Sequence, residues 1–245
     1  PVLHVAQGVA TITLHRPQHR NRLEDGDLLT LLEHIAAVNA DTTVRALVLT
    51  AQPNQPRPVF SAGYHLGAFR DDGETGPMPF ETVPDALASA RPLTLCALPG
   101  SVYGGATDLA LACDFVVAAA NAVFVMAYSN VGLSPDGGAT WSLVRALPRA
   151  TALQLLMGGE RIGPDRLQQL GVINAVCGNG EALDQALALA ERLNARAPNA
   201  LASIKDLVND AAGASLHAQL AAERDHFVRN LHHPNAGEGI AAFMD

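Results

Sequence analysis

The stretch Gly104-Gly105-Ala106-Thr107-Asp108-Leu109-Ala110-Leu111 decides the fold. It reads as a short helix opened by two glycines. It lies between two apolar segments, residues 93–98 and 114–118, that read as strands. Working outward, Val44-Arg45-Ala46-Leu47-Val48-Leu49-Thr50 is a nearly continuous apolar run, the pattern of a strand buried on both faces. Upstream, Leu28, Leu31, Leu32, Ile35 and Val38 recur at helical spacing and predict a helix over 26–39. Val9-Ala10-Thr11-Ile12-Thr13-Leu14 alternates as a strand does, and His15-Arg16-Pro17 breaks it. Strands alternating with helices predict an α/β fold. Beyond residue 180 the signal changes. Segments 181–196, 199–211 and 215–231 have helical spacing and no strand signal, so the chain divides into a core over 1–190 and a helical region over 191–245.

Composition limits the partners. Of 245 residues, 49% are hydrophobic and 16% charged, which is a packed globular chain and not a disordered one. The formal net charge of -8 argues against a nucleic-acid-binding face. Cys96, Cys113 and Cys177 are few and widely spaced, unlike a disulfide framework. No apolar run has the length of a membrane span, and Pro1-Val2-Leu3-His4 lacks the layout of a secretion signal. These features predict a cytoplasmic protein with no membrane association. No phosphate-loop or dinucleotide fingerprint appears.

The glycines point to chemistry. Gly63 and Gly104-Gly105 permit close backbone approach, and the N–H of Gly105, at the start of a helix, suits a developing negative charge. A tight turn feeding a helix would look the same. Asp108 falls three residues after Gly105, which places its carboxylate on the same helix face.

The ordered motifs carry a resemblance. Phe60-Ser61-Ala62-Gly63-Tyr64-His65-Leu66, Gly104 to Asp114, Val131-Gly132-Leu133-Ser134-Pro135-Asp136-Gly137-Gly138, Arg161 to Val176 and Glu238 to Phe243 together resemble the crotonase (enoyl-CoA hydratase/isomerase) superfamily. The resemblance implies a spiral of ββα units, with a C-terminal helical region completing a homotrimer or a dimer of trimers. It implies an acyl-CoA substrate whose thioester oxygen binds the backbone N–H groups of Tyr64 and Gly105, forming an enolate. Coenzyme A would be part of the substrate, and neither a further cofactor nor a metal is expected. The backbone of Ala62 and Leu66 would contact adenine and pantetheine. Arg16-Pro17-Gln18-His19-Arg20-Asn21-Arg22-Leu23 matches the segment that holds the nucleotide, so Arg20 and Arg22 become candidates for phosphate contacts; a solvated basic loop is the alternative.

Three residues bear on the reaction. Asp108 corresponds to the first catalytic glutamate of the hydratases, shortened by one methylene. The second glutamate falls on Tyr128, and a phenol is a poor base; Tyr128 could equally be a packing aromatic with a satisfied hydroxyl. Asp136 aligns with an aspartate that moves protons in related isomerases and acts as the nucleophile in a related dehalogenase. The dehalogenase also needs a histidine within 66–104, where this chain has none. Asp136 could also simply cap a helix over 137–147. His65 reads as a rim residue. The segment 66–90 is expected to shape the acyl pocket. The pattern favours an isomerase, with a hydratase using Asp108 alone, or an acyl-CoA-binding protein of reduced activity, as alternatives.

Overall fold

A computed structural model describes residues 1–67 and 80–244. The chain divides into two compact units, Pro1–Ala190 and Glu191–Asp245. The first contains a six-stranded sheet. Its strands are β1 (Val2–Ala6), β2 (Val9–Leu14), β3 (Ala46–Ala51), and three further strands over Leu93–Leu98, Phe115–Ala119 and Ala175–Cys177. A second sheet of four short strands includes β4 (Val59–Ser61). Continuing in chain order, β5 is Leu93–Leu98, β6 Ser101–Tyr103, β7 Phe115–Ala119, β8 Phe124–Val125, β9 Arg161–Ile162 and β10 Ala175–Cys177. The large sheet runs β1-β2-β3-β5-β7-β10 and the small one β4-β6-β8-β9.

Only β1 pairs antiparallel in the large sheet; β2 through β10 are parallel, with Leu47 opposite Thr94 and Cys96 opposite Val116. The continuous apolar character of β3 follows from cover on both faces. Leu47 and Leu49 face the main core with Ile12, Leu28, Leu31, Phe60 and Leu109. Ala46 and Val48 face the other way, against Ala182, Ala186 and Ala190. Each fully buried leucine contributes about 2 kcal/mol.

The helices of the first unit are α1 (Asp25–Ala40), α2 (Thr82–Ala88), α3 (Gly105–Leu111), α4 (Ala139–Ala146), α5 (Arg149–Gly158), α6 (Pro164–Gln169) and α7 (Ala182–Asn194), the last running just past the unit boundary. At the start of α1, Asp27 Oδ2 accepts the Glu24 N–H at 2.9 Å, and Arg16 pairs with both Asp27 and Glu24. The second unit is helical, with α8 (Pro198–Ala211), α9 (Leu216–Leu231) and α10 (Pro234–Met244). There Asn199 donates to Asn230 and accepts from Asn235 at 2.9 and 2.7 Å. Ile204, Val208, Leu216, Leu220, Phe227 and Phe243 remain more than half exposed.

The alternation of strands and helices matches the expectation. The small sheet was not legible, because its strands are only two or three residues long and carry no periodicity. Helix α2 falls within the segment 66–90 that is expected to shape the acyl pocket; residues 68–79 of that segment lie outside the described ones. Asp136 does not cap α4: Gly138, in a left-handed conformation, is the N-cap, and no side chain caps it.

Candidate active site

Strands β4, β6 and β8 are parallel neighbours, so their C-terminal ends open on one edge of the small sheet. Adjacent strands are separated by about 4.8 Å, so three strand ends come within about 10 Å. Beyond β4 comes Tyr64, beyond β6 the Gly104–Gly105 peptide, and beyond β8 Tyr128.

The first strand end is held by a short parallel bridge. Leu23 N–H donates to Gly63 O, and His65 N–H to Leu23 O, each at 2.9 Å. In such a bridge the N–H of the residue between, Tyr64, points away from Leu23. Gly63 has φ +87°, and a Cβ there would lie 2.7 Å from Tyr103 O and 3.8 Å from Gly105 N. Only glycine permits both the conformation and the approach of these two backbones. Asn21 braces the same region. It is buried, its Oδ1 accepts the Arg16 N–H at 2.8 Å, and its Nδ2 donates to Gln52 O at 2.8 Å and Val59 O at 3.3 Å. Ser61 Oγ donates to Asn21 O at 2.7 Å.

Gly105 begins α3, and the Phe80 ring covers it: a Cβ at 105 would lie 2.9 Å from Phe80 Cζ. Phe80 also meets the Tyr64 ring edge-on, with centroids 6.3 Å apart. The Tyr64 hydroxyl turns outward and donates to Asp25 Oδ1. The Tyr64 phenol is thus engaged with Asp25, while its backbone N–H points away from Leu23.

Asp108 lies one turn into α3 and is 1% exposed. Its Oδ2 accepts the Tyr128 hydroxyl at 2.7 Å. Among the described residues, its Oδ1 is buried without a hydrogen-bond partner. Burial raises the Asp108 carboxyl to about 7; the charge of Asp136 adds to the rise, and Tyr128 and the Ala139 N–H oppose it. Asp136 is itself raised, by withdrawal from water and then by Glu81 at the N-cap of α2. The residue as a whole is exposed, so its shift reflects a carboxyl at the edge of the site rather than one sealed inside it. Three acidic groups from three elements therefore converge: a buried one at neutrality, a rim one, and a second rim one acting on the first.

Tyr128 is 6% exposed and packs with Met126, Ala139, Leu143, Leu147 and Ala152. Its hydroxyl lies 3.2 Å from Gly104 O as well as 2.7 Å from Asp108 Oδ2. Burial first, and then the Asp108 charge, hold the phenol far above its ordinary range, so it stays protonated and donates. The packing role and the polar role are both real.

The candidates for nucleotide contact are spread over the rim. Arg20 is exposed, in a left-handed conformation, and its side chain has no ion pair among the described residues. Arg22 is committed to Glu24 at 2.9 Å, and this contact, with Arg16, holds the Glu24 carboxyl below its usual range. Ala62 and Leu66 are exposed, and the Ala62 N–H is taken by Arg20 O at 2.9 Å. His65, half-buried, has Nδ1 3.9 Å from Glu24 Oε1 and stays on the rim. Sequence reading missed Phe80 and Glu81, which precede a short helix in a stretch without periodicity. Asn21 and Gly137 stand in the sequence only as members of longer motifs.

The fold agrees with comparison to known proteins. Residues 4–245 match the family model described as enoyl-CoA hydratase/isomerase, and the chain belongs to that family, within the crotonase superfamily. Its relatives include 1,2-epoxyphenylacetyl-CoA isomerase of Escherichia coli (strain K12), 34% identical over 98% of this chain and 94% of the relative. The 2,3-dehydroadipyl-CoA hydratase of the same strain is 31% identical over 97% and 92%. A solved enoyl-CoA hydratase from Polaromonas sp. JS666 is 47% identical, covering 99% of this chain and 96% of that one, with a TM-score of 0.92. The chain is thus an enzyme of this family with a crotonase-like fold. Among the described residues no helix is long and apolar enough to cross a membrane, and no cluster of three side chains could hold a metal ion.

Proposed function

We propose that the protein is an enoyl-CoA isomerase that moves a proton along the acyl chain of a CoA thioester. The backbone N–H groups of Tyr64 and Gly105 hold the thioester oxygen and stabilise the enolate formed when a proton leaves carbon. Asp108 takes the proton on its unpartnered Oδ1, Asp136, protonated when the substrate binds, gives its own proton to the other end of the allylic system, and the proton held by Asp108 restores Asp136 before the next turnover. The observation that carries this reading is the pairing of a buried aspartate poised near 7 with a second aspartate on the rim, while a phenol replaces the second carboxylate expected for water activation. A general base works best with a pKa near the working pH.

Arg20 is the better placed of the two arginines for a CoA phosphate, since Arg22 is already engaged by Glu24. Contact of Ala62 with the nucleotide would run through its carbonyl, because its N–H is taken. No cofactor beyond the CoA carried by the substrate enters this scheme. The exposed apolar side chains of the second unit support assembly as a homotrimer or a dimer of trimers. A cytoplasmic location belongs to the same reading.

Several relatives named as hydratases favour a second reading, hydration by Asp108 alone. Turnover of 3-enoyl-, 2-enoyl- and 3-hydroxyacyl-CoA thioesters separates the two. Isomerisation that drops about 10²- to 10⁴-fold in Asp136→Asn is expected. Hydration with Asp136 dispensable decides for the second reading, and tight binding without turnover of any thioester would leave only a binding protein.

A further inference from the structure

The Tyr128 hydroxyl has one proton and two acceptors, Asp108 Oδ2 at 2.7 Å and Gly104 O at 3.2 Å. Gly104 O belongs to the same peptide group as the Gly105 N–H. We propose that Tyr128 is a positioning residue that links the two halves of the site: it turns its hydroxyl from Asp108 to Gly104 O when Asp108 loses its charge, and so strengthens the Gly105 N–H as a donor to the thioester oxygen. This rests on the reading of Gly105 as a thioester-oxygen donor and of Asp108 as the base.

Acceptor strength decides which partner holds the phenol proton. An ionised carboxylate makes the stronger, charge-assisted hydrogen bond and holds the phenol proton. A neutral carboxyl does not, whichever of its oxygens carries the proton, and the backbone carbonyl becomes the better acceptor. A hydrogen bond to Gly104 O polarises the peptide and makes its N–H more acidic, the ordinary cooperativity of linked hydrogen bonds. The order of events suits catalysis. The substrate C–H bond breaks, its electron pair becomes the enolate, and its proton goes to Asp108. At that moment the oxygen bears the most charge, and the hydroxyl swings to the peptide that faces it. No proton is lost from Tyr128. The ionisable groups that bear on Asp108 are Tyr128 and Asp136, with Glu81 acting on Asp136. Among the described residues the Tyr128 hydroxyl has no other hydrogen-bond partner, and its packing neighbours are apolar.

The test uses difference infrared spectroscopy of the whole protein with butyryl-CoA labelled with ¹³C at the thioester carbonyl. In the wild type, the bound carbonyl stretch is expected to move to lower wavenumber as the pH falls through the titration of Asp108. In Tyr128→Phe that pH dependence is lost, while a fixed shift from free butyryl-CoA remains. In Asp108→Asn, the stretch stays at the wild type's low-pH position at every pH; this second variant reads the same switch if the phenylalanine variant folds poorly. At a pH where Asp108 is ionised, Tyr128→Phe should lose about two- to eight-fold in kcat with little change in KM. A stretch that moves with pH in Tyr128→Phe as it does in the wild type overturns the link, as does a wild-type stretch that ignores pH. No shift of the bound carbonyl at any pH in any of the three proteins overturns instead the underlying assignment of the thioester-oxygen site.

Discussion

Gly137 sits against the carboxylate of Asp108. A Cβ at 137 would lie 2.7 Å from Asp108 Oδ2 and 2.7 Å from its Cβ. The Pro135-Asp136-Gly137 turn therefore does two things. It presents Asp136, and it presses bare backbone against the side chain that Asp136 influences. Gly137→Ala should displace Asp108 or the turn by several tenths of an ångström and lower kcat by about 10²-fold. Steady-state kinetics alongside a thermal melt check this; the melt should change far less than the rate.

The pH profile follows from Asp108. If its ionised form takes the proton and protonated Asp136 returns one, kcat/KM is bell-shaped in pH, with the Asp108 limb near 7. The Asp136 charge contributes to that position. In Asp136→Asn the limb on the residual activity should therefore move to lower pH. A limb that moves upward, or stays where it is, contradicts the mutual repulsion.

Stability should carry the same signature with a definite sign. The Asp108 carboxyl is raised from 3.8 to about 7 on folding. Between those values the folded state binds more protons than the unfolded, so stability present below the lower value is lost as pH rises through the upper one. The loss is on the order of 4 kcal/mol when complete. Asp108→Asn should thus be stabilising at pH 8, by an amount that shrinks markedly at pH 5. Urea unfolding at the two pH values measures it, and a pH-independent difference would count against the burial argument.

Asn21 ties the loop after β2 to the segment just beyond β3 and to both ends of β4. Its amide joins Arg16, Gln52 and Val59, and its carbonyl accepts Ser61. Asn21→Ala leaves several buried groups without partners at about 1–3 kcal/mol each, and alanine tolerates the residue's φ of +49° less well. We expect about 3 kcal/mol of destabilisation in denaturant melts. A rise in KM should accompany it, since the same loop carries Arg20.

Arg20→Ala should raise KM for CoA thioesters about ten-fold, the worth of one charge-assisted contact. It should leave turnover of the matching pantetheine thioester unchanged. Arg22→Ala should do less, because that side chain is already paired with Glu24. Equal effects of the two arginines on both substrates would argue against a phosphate role.

How far the sequence could be read depended on distance along the chain. Gly105 and Asp108 were legible because a three-residue helical spacing is local. The core strand β3 was legible because its unbroken apolar run reports cover on both faces. The junction of Tyr128 with Gly104 was not, for it arises from the pairing of β6 with β8, strands too short to leave a periodic trace. Glu81 and Phe80 were hidden for a related reason. They reach the site by folding back from α2, more than twenty residues before Gly105, and their spacing to any other site residue has no meaning along one helix or strand. Asp136 was recognised through its motif, and the alternative reading of it as a helix cap does not hold, since Gly138 turns the chain into α4 instead.

The ends of β4, β6 and β8 stand side by side, and each delivers one working part from successive passes of the chain. Such an arrangement behaves as three sockets on a common rail. The proposed thioester contacts at the first two are backbone groups, so on that reading what fills the third can differ without disturbing them. On the proposed reading, a new reaction in this architecture would need a new side chain at one socket and no new scaffold, and Tyr128 occupies that socket here.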